Sequence, residues 1–178
     1  MRPYCCLVLD VDGVLTDGRL YYSEDGREQR AFHVHDGIAI HWFQRLGGVV
    51  AILSGKSSPA VAARAADLGI RHVIQGSRDK LADLTRLLAE LDVPLSQTAF
   101  VGDDLPDLAA MRAVGLAIAP SNAVEQVRAV AEVVTSAAGG HGAVREAVEH
   151  LLRRAGRWED VLGWHAAAAQ RPPEPARS

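Results

Sequence analysis

The chain has 178 residues, 48% of them hydrophobic and 23% charged, with a formal net charge of -3. That length suits one domain with its own core, and basic residues that are outnumbered and unclustered exclude the electrostatic footprint of a nucleic-acid-binding protein. No apolar segment approaches the roughly 20 residues of a membrane-spanning helix, and MRPYCC runs directly into a strand pattern, so the expected compartment is the cytoplasm.

In chain order, the first apolar run is CCLVLD. Its adjacent Cys5 and Cys6 read as small buried hydrophobes, because such a pair offers no disulfide framework. The run stops at Asp10 and Asp12 with Val11 between them. Next comes RLYYSEDGREQRAFHV, two strand-like arms around an Asp25-Gly26 turn, a hairpin signature. Helices are predicted at Gly37 to Leu46, Pro59 to Leu68, Leu81 to Leu91, Pro106 to Ala113, Ala123 to Ala129 and Ala143 to Arg154. They alternate with apolar runs at VVAIL, HVIQ, TAFVG, GLAIA and EVVT. This alternation predicts a three-layer α/β domain, a Rossmann-like parallel sheet covered on both faces. The domain is expected over 1–165. The stretch 166–178, AAAAQRPPEPARS, lacks apolar periodicity and is expected to be a disordered tail. The hairpin is too small for a cap domain, so the mouth of the sheet stays open unless another subunit covers it.

Open α/β sheets bind ligands beyond the carboxyl ends of their strands, where Asp10 and Asp12 fall. A lone D-x-D-G reads equally well as a turn held by Asx hydrogen bonds. Three further strand ends tip the reading toward a site: Ser54-Gly55-Lys56 after VVAIL, Lys80 after HVIQG, and Gly102-Asp103-Asp104 after TAFV. Gly13 permits the bend that would turn both aspartates toward one substrate. The residue types suit one reaction. A carboxylate, Asp10, attacks phosphorus and forms an aspartyl-phosphate that water hydrolyses. A hard divalent cation, with Asp10 and Asp103 among its ligands, offsets the repulsion between carboxylate and phosphate. Lys80, the Ser54 hydroxyl and the backbone around Gly55 hold the other phosphoryl oxygens. Asp12 protonates the leaving oxygen and then deprotonates water.

DVDGVLTDG, LSGK, the lysine of QGSRDKL and VGDDLPD resemble the four motifs of the haloacid dehalogenase superfamily of aspartyl-phosphate phosphatases. More narrowly, the hairpin, AFHVHDG, VGDDLPDLAAM and AAGGHGAVREAVEHLL resemble the capless 3-deoxy-D-manno-octulosonate 8-phosphate phosphatases, over about Cys5 to Leu152. The resemblance implies magnesium held by the Asp10 carboxylate, the Asp12 carbonyl and Asp103, with Asp104 and Asp107 supporting. It also implies a homotetramer with hairpins at its centre, and a neighbouring subunit closing each site. On the substrate side it puts Gly55, Asp36 and Gly37, and Arg64 matches the family's arginines.

Other sugar-facing positions depart from the pattern. His33 and His35 stand for an asparagine and an arginine, Lys56 and His41 for arginines, and GGHG, with His141, for GGRG. Lysine loses the bidentate fork that matches a carboxylate, and histidine loses a pH-independent charge. His33, His35 and His41 read either as substrate contacts of an altered pocket or as residues that pack. An eight-carbon acidic sugar phosphate is the default substrate. A nine-carbon acid sugar 9-phosphate or a neutral sugar phosphate is the alternative, and a non-catalytic oligomerisation module is the reading from another class.

Overall fold

Each of the six apolar runs is a strand of one parallel sheet in the computed structural model, which describes residues 4–169. The strands are Cys6–Leu9 (β1), Val49–Leu53 (β4), His72–Ile74 (β5), Thr98–Val101 (β6), Leu116–Ala119 (β7) and Val133–Val134 (β8), in the spatial order β5-β4-β1-β6-β7-β8. Tyr21–Tyr22 (β2) and Glu28–Gln29 (β3) form the separate antiparallel hairpin. Alternate side chains of β1 go to opposite faces. Leu7 and Leu9 join one cluster with Ile40 and Phe43 of Val34–Arg45 (α1), Val61 of Pro59–Asp67 (α2) and Val148 of Ala143–Arg154 (α6). Cys6 and Val8 join the other, with Leu84 of Lys80–Glu90 (α3), Met111 of Leu108–Ala113 (α4) and Val127 of Glu125–Val130 (α5). The expected three layers are present.

Register positions the site. Leu9 pairs with Ile52 on one side and Val101 on the other, so β1, β4 and β6 end nearly level. The chain steps outward from β1 through β4 to β5, then returns to begin β6 on the other side of β1. The switch point of the sheet therefore lies at the carboxyl ends of β1 and β6, where a crevice opens.

Three local features differ from the sequence reading. The hairpin arms are short, and His33, expected on the second arm, is instead the N-cap residue of α1, with His35 in the first turn of that helix. The helix expected from Pro106 is a 3-10 turn, Leu105–Asp107, running into α4. A further helix, Trp158–Ala169 (α7), follows Gly156, which takes φ +69° after α6. Trp158 meets Trp42 edge-on at 5.8 Å, and Arg145 stacks 4.1 Å from the Trp42 ring. These contacts give α7 a packed face that the Ala-rich composition concealed. The helix runs into the start of the expected tail, and 170–178 lie outside the described residues.

The loop after β1 is clamped by the glycines before α6. The Gly140 N–H donates to the Val14 carbonyl at 3.0 Å, and a Cβ on Gly139 would sit 1.7 Å from the Gly13 carbonyl oxygen. We expect Gly139→Ala to displace the β1 loop, lowering stability by about 1–3 kcal/mol as an overpacked contact and reducing turnover with it. Thermal unfolding and activity on the same preparation check this, and an Ala variant with unchanged activity would contradict the clamp.

Candidate active site

The strand ends deliver their polar groups into one cavity of about 330 Å³, lined by Asp10, Asp12, Ser54, Lys80, Asp103 and Asp107 among others. Asp10 continues the ladder, its N–H donating to the Val101 carbonyl at 3.0 Å. The chain then turns: Val14 and Thr16 N–H groups both donate to the Val11 carbonyl, and Gly13 takes φ +85°. That turn brings Asp12 to the same cavity as Asp10, as the bend at Gly13 predicts.

Lys80 opens α3 and is buried. Its Nζ lies 2.8 Å from Asp10 Oδ1 and 2.5 Å from Asp107 Oδ1. Burial works against the ammonium charge, but the Asp10 and Asp107 carboxylates outweigh it and hold the lysine pKa above its ordinary value. Asp107 is a hub, because its other oxygen accepts from the backbone N–H groups of Asp103 (3.1 Å) and Asp104 (3.3 Å). Across the cavity, buried Ser54 accepts from the Lys56 N–H at 3.3 Å, which leaves its own O–H to donate to a ligand. Gly55 and Lys56 form the exposed turn beside it.

Asp10, Asp103 and Asp107 each offer an oxygen within 4.8 Å of the others. Burial, then the Asp107 charge, pushes the Asp10 pKa up to about 6. Burial, then the charges of Asp10, Asp107 and Asp104, pushes Asp103 up to about 8. Asp103 Oδ1 is buried with no hydrogen-bond partner. Gly13 backs directly onto this carboxylate, where a Cβ would fall 2.0 Å from Oδ2. An all-oxygen acidic group with an unpartnered buried oxygen fits a hard divalent cation. Asp107, expected to support the metal ligands, lies within the same acidic group.

The remaining expected residues divide into two places. His33, His35, Asp36, Gly37 and Arg64 gather where the hairpin meets α1. Arg64 Nη2 donates to the His33 carbonyl at 3.4 Å, in space that a Cβ on Gly37 would fill. His33 and His35 meet edge-on at 5.0 Å. Asp36 is buried, and its Oδ1 accepts from the Arg145 N–H at 2.8 Å, which ties α1 to the start of α6. Burial raises the Asp36 pKa, with that N–H bond opposing. His41 lines a different groove with Val49, Arg71 and His72, at the amino ends of β4 and β5.

Two residues escaped the sequence reading. Arg30 Nη1 lies 2.7 Å from Asp12 Oδ1, and Arg30 Nε donates to Glu28 Oε1 at 2.9 Å. Glu28 Oε2 is in turn 3.7 Å from Lys56 Nζ. The signal was a charge pair two residues apart on a strand arm, which puts both on one pleat face.

Comparison with known proteins agrees with this geometry. The sequence profile of the haloacid dehalogenase-like hydrolases matches residues 25–115. The 3-deoxy-D-manno-octulosonate 8-phosphate phosphatase KdsC of Escherichia coli (strain K12) is 41% identical over 157 residues, 88% of this chain and 84% of that protein. The crystal structure of the same enzyme from Moraxella catarrhalis, in complex with magnesium, phosphate and KDO, superposes with TM-score 0.89 at 42% identity, covering 90% of this chain and 92% of that one. A probable YrbI family phosphatase from Pseudomonas syringae pv. phaseolica superposes with TM-score 0.90 at 45% identity, covering 96% and 95%.

The acidic group carries a pH signature. The folded-state pKa values of Asp10 and Asp103 lie above the ordinary 3.8, so the metal-free fold holds protons that the unfolded chain has released. Metal-free stability is therefore expected to fall as pH rises from about 4 to about 8. A divalent cation replaces those protons, so its stabilising effect grows over the same window. Thermal midpoints with magnesium and with chelator, compared at about pH 5.5 and about pH 8, should differ more at the higher pH. A gap independent of pH would mean that the cation does not displace protons from this group.

Proposed function

Because this chain belongs to the haloacid dehalogenase-like hydrolase family, we propose that it is a magnesium-dependent phosphatase of a small sugar phosphate, by default 3-deoxy-D-manno-octulosonate 8-phosphate. The observation that carries this reading is the buried Lys80 held between Asp10 and Asp107, beside the acidic group at the switch point. Asp10, Asp103 and the Asp12 carbonyl would hold the magnesium, which when bound offsets the charge repulsion between the nucleophile and the phosphate. Lys80 keeps one Asp10 oxygen oriented and supplies positive charge for a phosphoryl oxygen. The Ser54 hydroxyl and the turn at Gly55 cradle the others. As the Asp10 O–P bond forms, the bond to the sugar oxygen breaks and that oxygen takes a proton from Asp12. Asp12 then removes a proton from the water that hydrolyses the aspartyl-phosphate, restoring Asp10.

A second reading keeps this chemistry and changes the sugar. Lys56 faces Glu28, and Arg64 is turned to the His33 carbonyl, so neither cation is arranged around a substrate carboxylate. Those pairings, with histidines at 33 and 35, favour a neutral sugar phosphate. A non-catalytic module has no use for a lysine bridging two carboxylates in a cavity, and that reading is set aside.

Assembly as a homotetramer belongs to the same proposal. Leu20, Tyr21 and Tyr22 of the hairpin and Val34 and Ile38 of α1 are exposed apolar residues on neighbouring segments, and a two-stranded hairpin alone is marginally stable. Phosphorylated sugars are made and used in the cytoplasm, where we place the protein. No helix among the described residues is long and apolar enough to cross a membrane.

Phosphate release with magnesium should be strongest on one member of a panel of eight- and nine-carbon acid phosphates and neutral hexose and heptose phosphates. Asp10→Asn should lose about 10³-fold or more of that activity while keeping the wild-type unfolding curve. Substantial turnover in this variant would sink the aspartyl-phosphate mechanism. For assembly, Tyr22→Glu should shift the mass measured by light scattering downward, and an unchanged tetramer would exclude the hairpin from the interface.

A further inference from the structure

Asp12 is held from the hairpin side. The Arg30 side chain is only 1% exposed, although it belongs to a short surface hairpin. One edge of its guanidinium faces Asp12, with Nη1 2.7 Å from Oδ1. The other edge faces Glu28, where Nε and Nη2 lie 2.9 and 2.8 Å from Oε1. Asp12 Oδ1 is itself shut off from water, while the side chain as a whole keeps 27% exposure, so Oδ2 is the oxygen on the cavity side.

A buried guanidinium costs free energy unless carboxylates accompany it, and this one has a carboxylate on each edge. Its planar fork also fixes direction in a way that a rotating ammonium does not. Glu28, braced further by Lys56, sets the plane of Arg30, and Arg30 sets which oxygen of Asp12 is occupied. We propose that Arg30 is a positioning residue that holds Asp12 Oδ1 and so aims Oδ2 at the leaving oxygen of the phosphomonoester. The inference rests on the phosphatase reading above, in which Asp12 donates its proton as the P–O bond breaks.

The consequence depends on the leaving group. A sugar alkoxide needs that proton in the transition state, whereas p-nitrophenolate departs without it. The value of kcat/KM reports the steps up to aspartyl-phosphate formation for both. With magnesium-loaded protein, Arg30→Gln should lose about 100-fold in kcat/KM on the best sugar phosphate, the scale of a mispositioned general acid. On p-nitrophenyl phosphate the loss should stay within about threefold. Arg30→Lys, which keeps the charge and loses the fork, should fall between, with a loss of about tenfold confined to the sugar phosphate.

Equal losses on the two substrates would overturn the proposal, since a purely structural role lowers both alike. If Arg30→Gln does not fold, the ratio of the two losses in Arg30→Lys decides on its own: unequal losses support the positioning role and equal losses overturn it. Failure of the phosphatase reading looks different. In that case wild-type protein releases no phosphate from either substrate with magnesium, or releases it equally well as Asp10→Asn.

Discussion

Like charges at close quarters are the constraint on which this structure depends. Asp10, Asp103 and Asp107 bring carboxylate oxygens within 4.8 Å of one another in a largely buried setting, with Lys80 as the cation that touches two of them. Such a group would spread apart or stay protonated in a pliant scaffold. It stays together because its members are fixed by backbone. Asp10 extends the β1 ladder, Asp103 and Asp104 are pinned through their N–H groups to Asp107, and Lys80 opens a helix capped by Asp79. The raised pKa values of Asp10 and Asp103 record first their burial and then the unrelieved part of the repulsion. A bound cation and a phosphoryl group would relieve it from opposite sides.

The sheet sets the distances at which this happens. Because β1 is central and pairs in parallel with β4 and β6, the loops carrying Asp10, Ser54 and Asp103 leave the sheet side by side. The turn after β1 must then pass close to Asp103, and only a residue without a Cβ fits at Gly13. The same loop is covered from behind by Gly139, so its backbone is trapped between the acidic group and the start of α6. The geometry of the site is thus a property of the core, whose largest fully buried side chains, Phe100, Leu7 and Leu9, lie in the two central strands β1 and β6 that end at it.

Legibility in the sequence follows the same division. The six strands and the groups at their ends were readable because buried parallel strands are continuous apolar runs, and a run that stops at a charge marks both its end and its site. Asp10, Asp12, Ser54, Lys80 and Asp103 meet in one cavity for that reason. Helix α7 was hidden because its packing face is spread over Trp158, Val161 and Trp164 within an Ala-rich stretch. Asp36 carried a motif signature, yet its carboxylate is buried against the Arg145 N–H and binds the fold to itself. His41 stood one helical turn past the motif, and a turn of helix sufficed to take it to the far end of the sheet. Arg30 and Glu28 offered only their own two-residue charge spacing, because their partners Asp12 and Lys56 are distant in sequence.

Residues on the hairpin side of the cavity are governed by different physics. Asp12, Arg30, Glu28 and Lys56 form a row of alternating charges that runs from the β1 loop across the hairpin to the turn after β4. None of these residues sits within a strand of the main sheet, and the hairpin that carries two of them has strands of two residues each. Their positions depend on one another more than on the core. Changing one charge in such a row changes the preferred pairing of its neighbours, so substitutions at Lys56 reach Asp12 through Glu28 and Arg30 without touching it. On the proposed reading, a core that fixes phosphoryl chemistry beside a small charged hairpin would let substrate preference change with few substitutions. On the proposed mechanism it would also bind preference to catalysis, because the row ends on Asp12, the proposed acid.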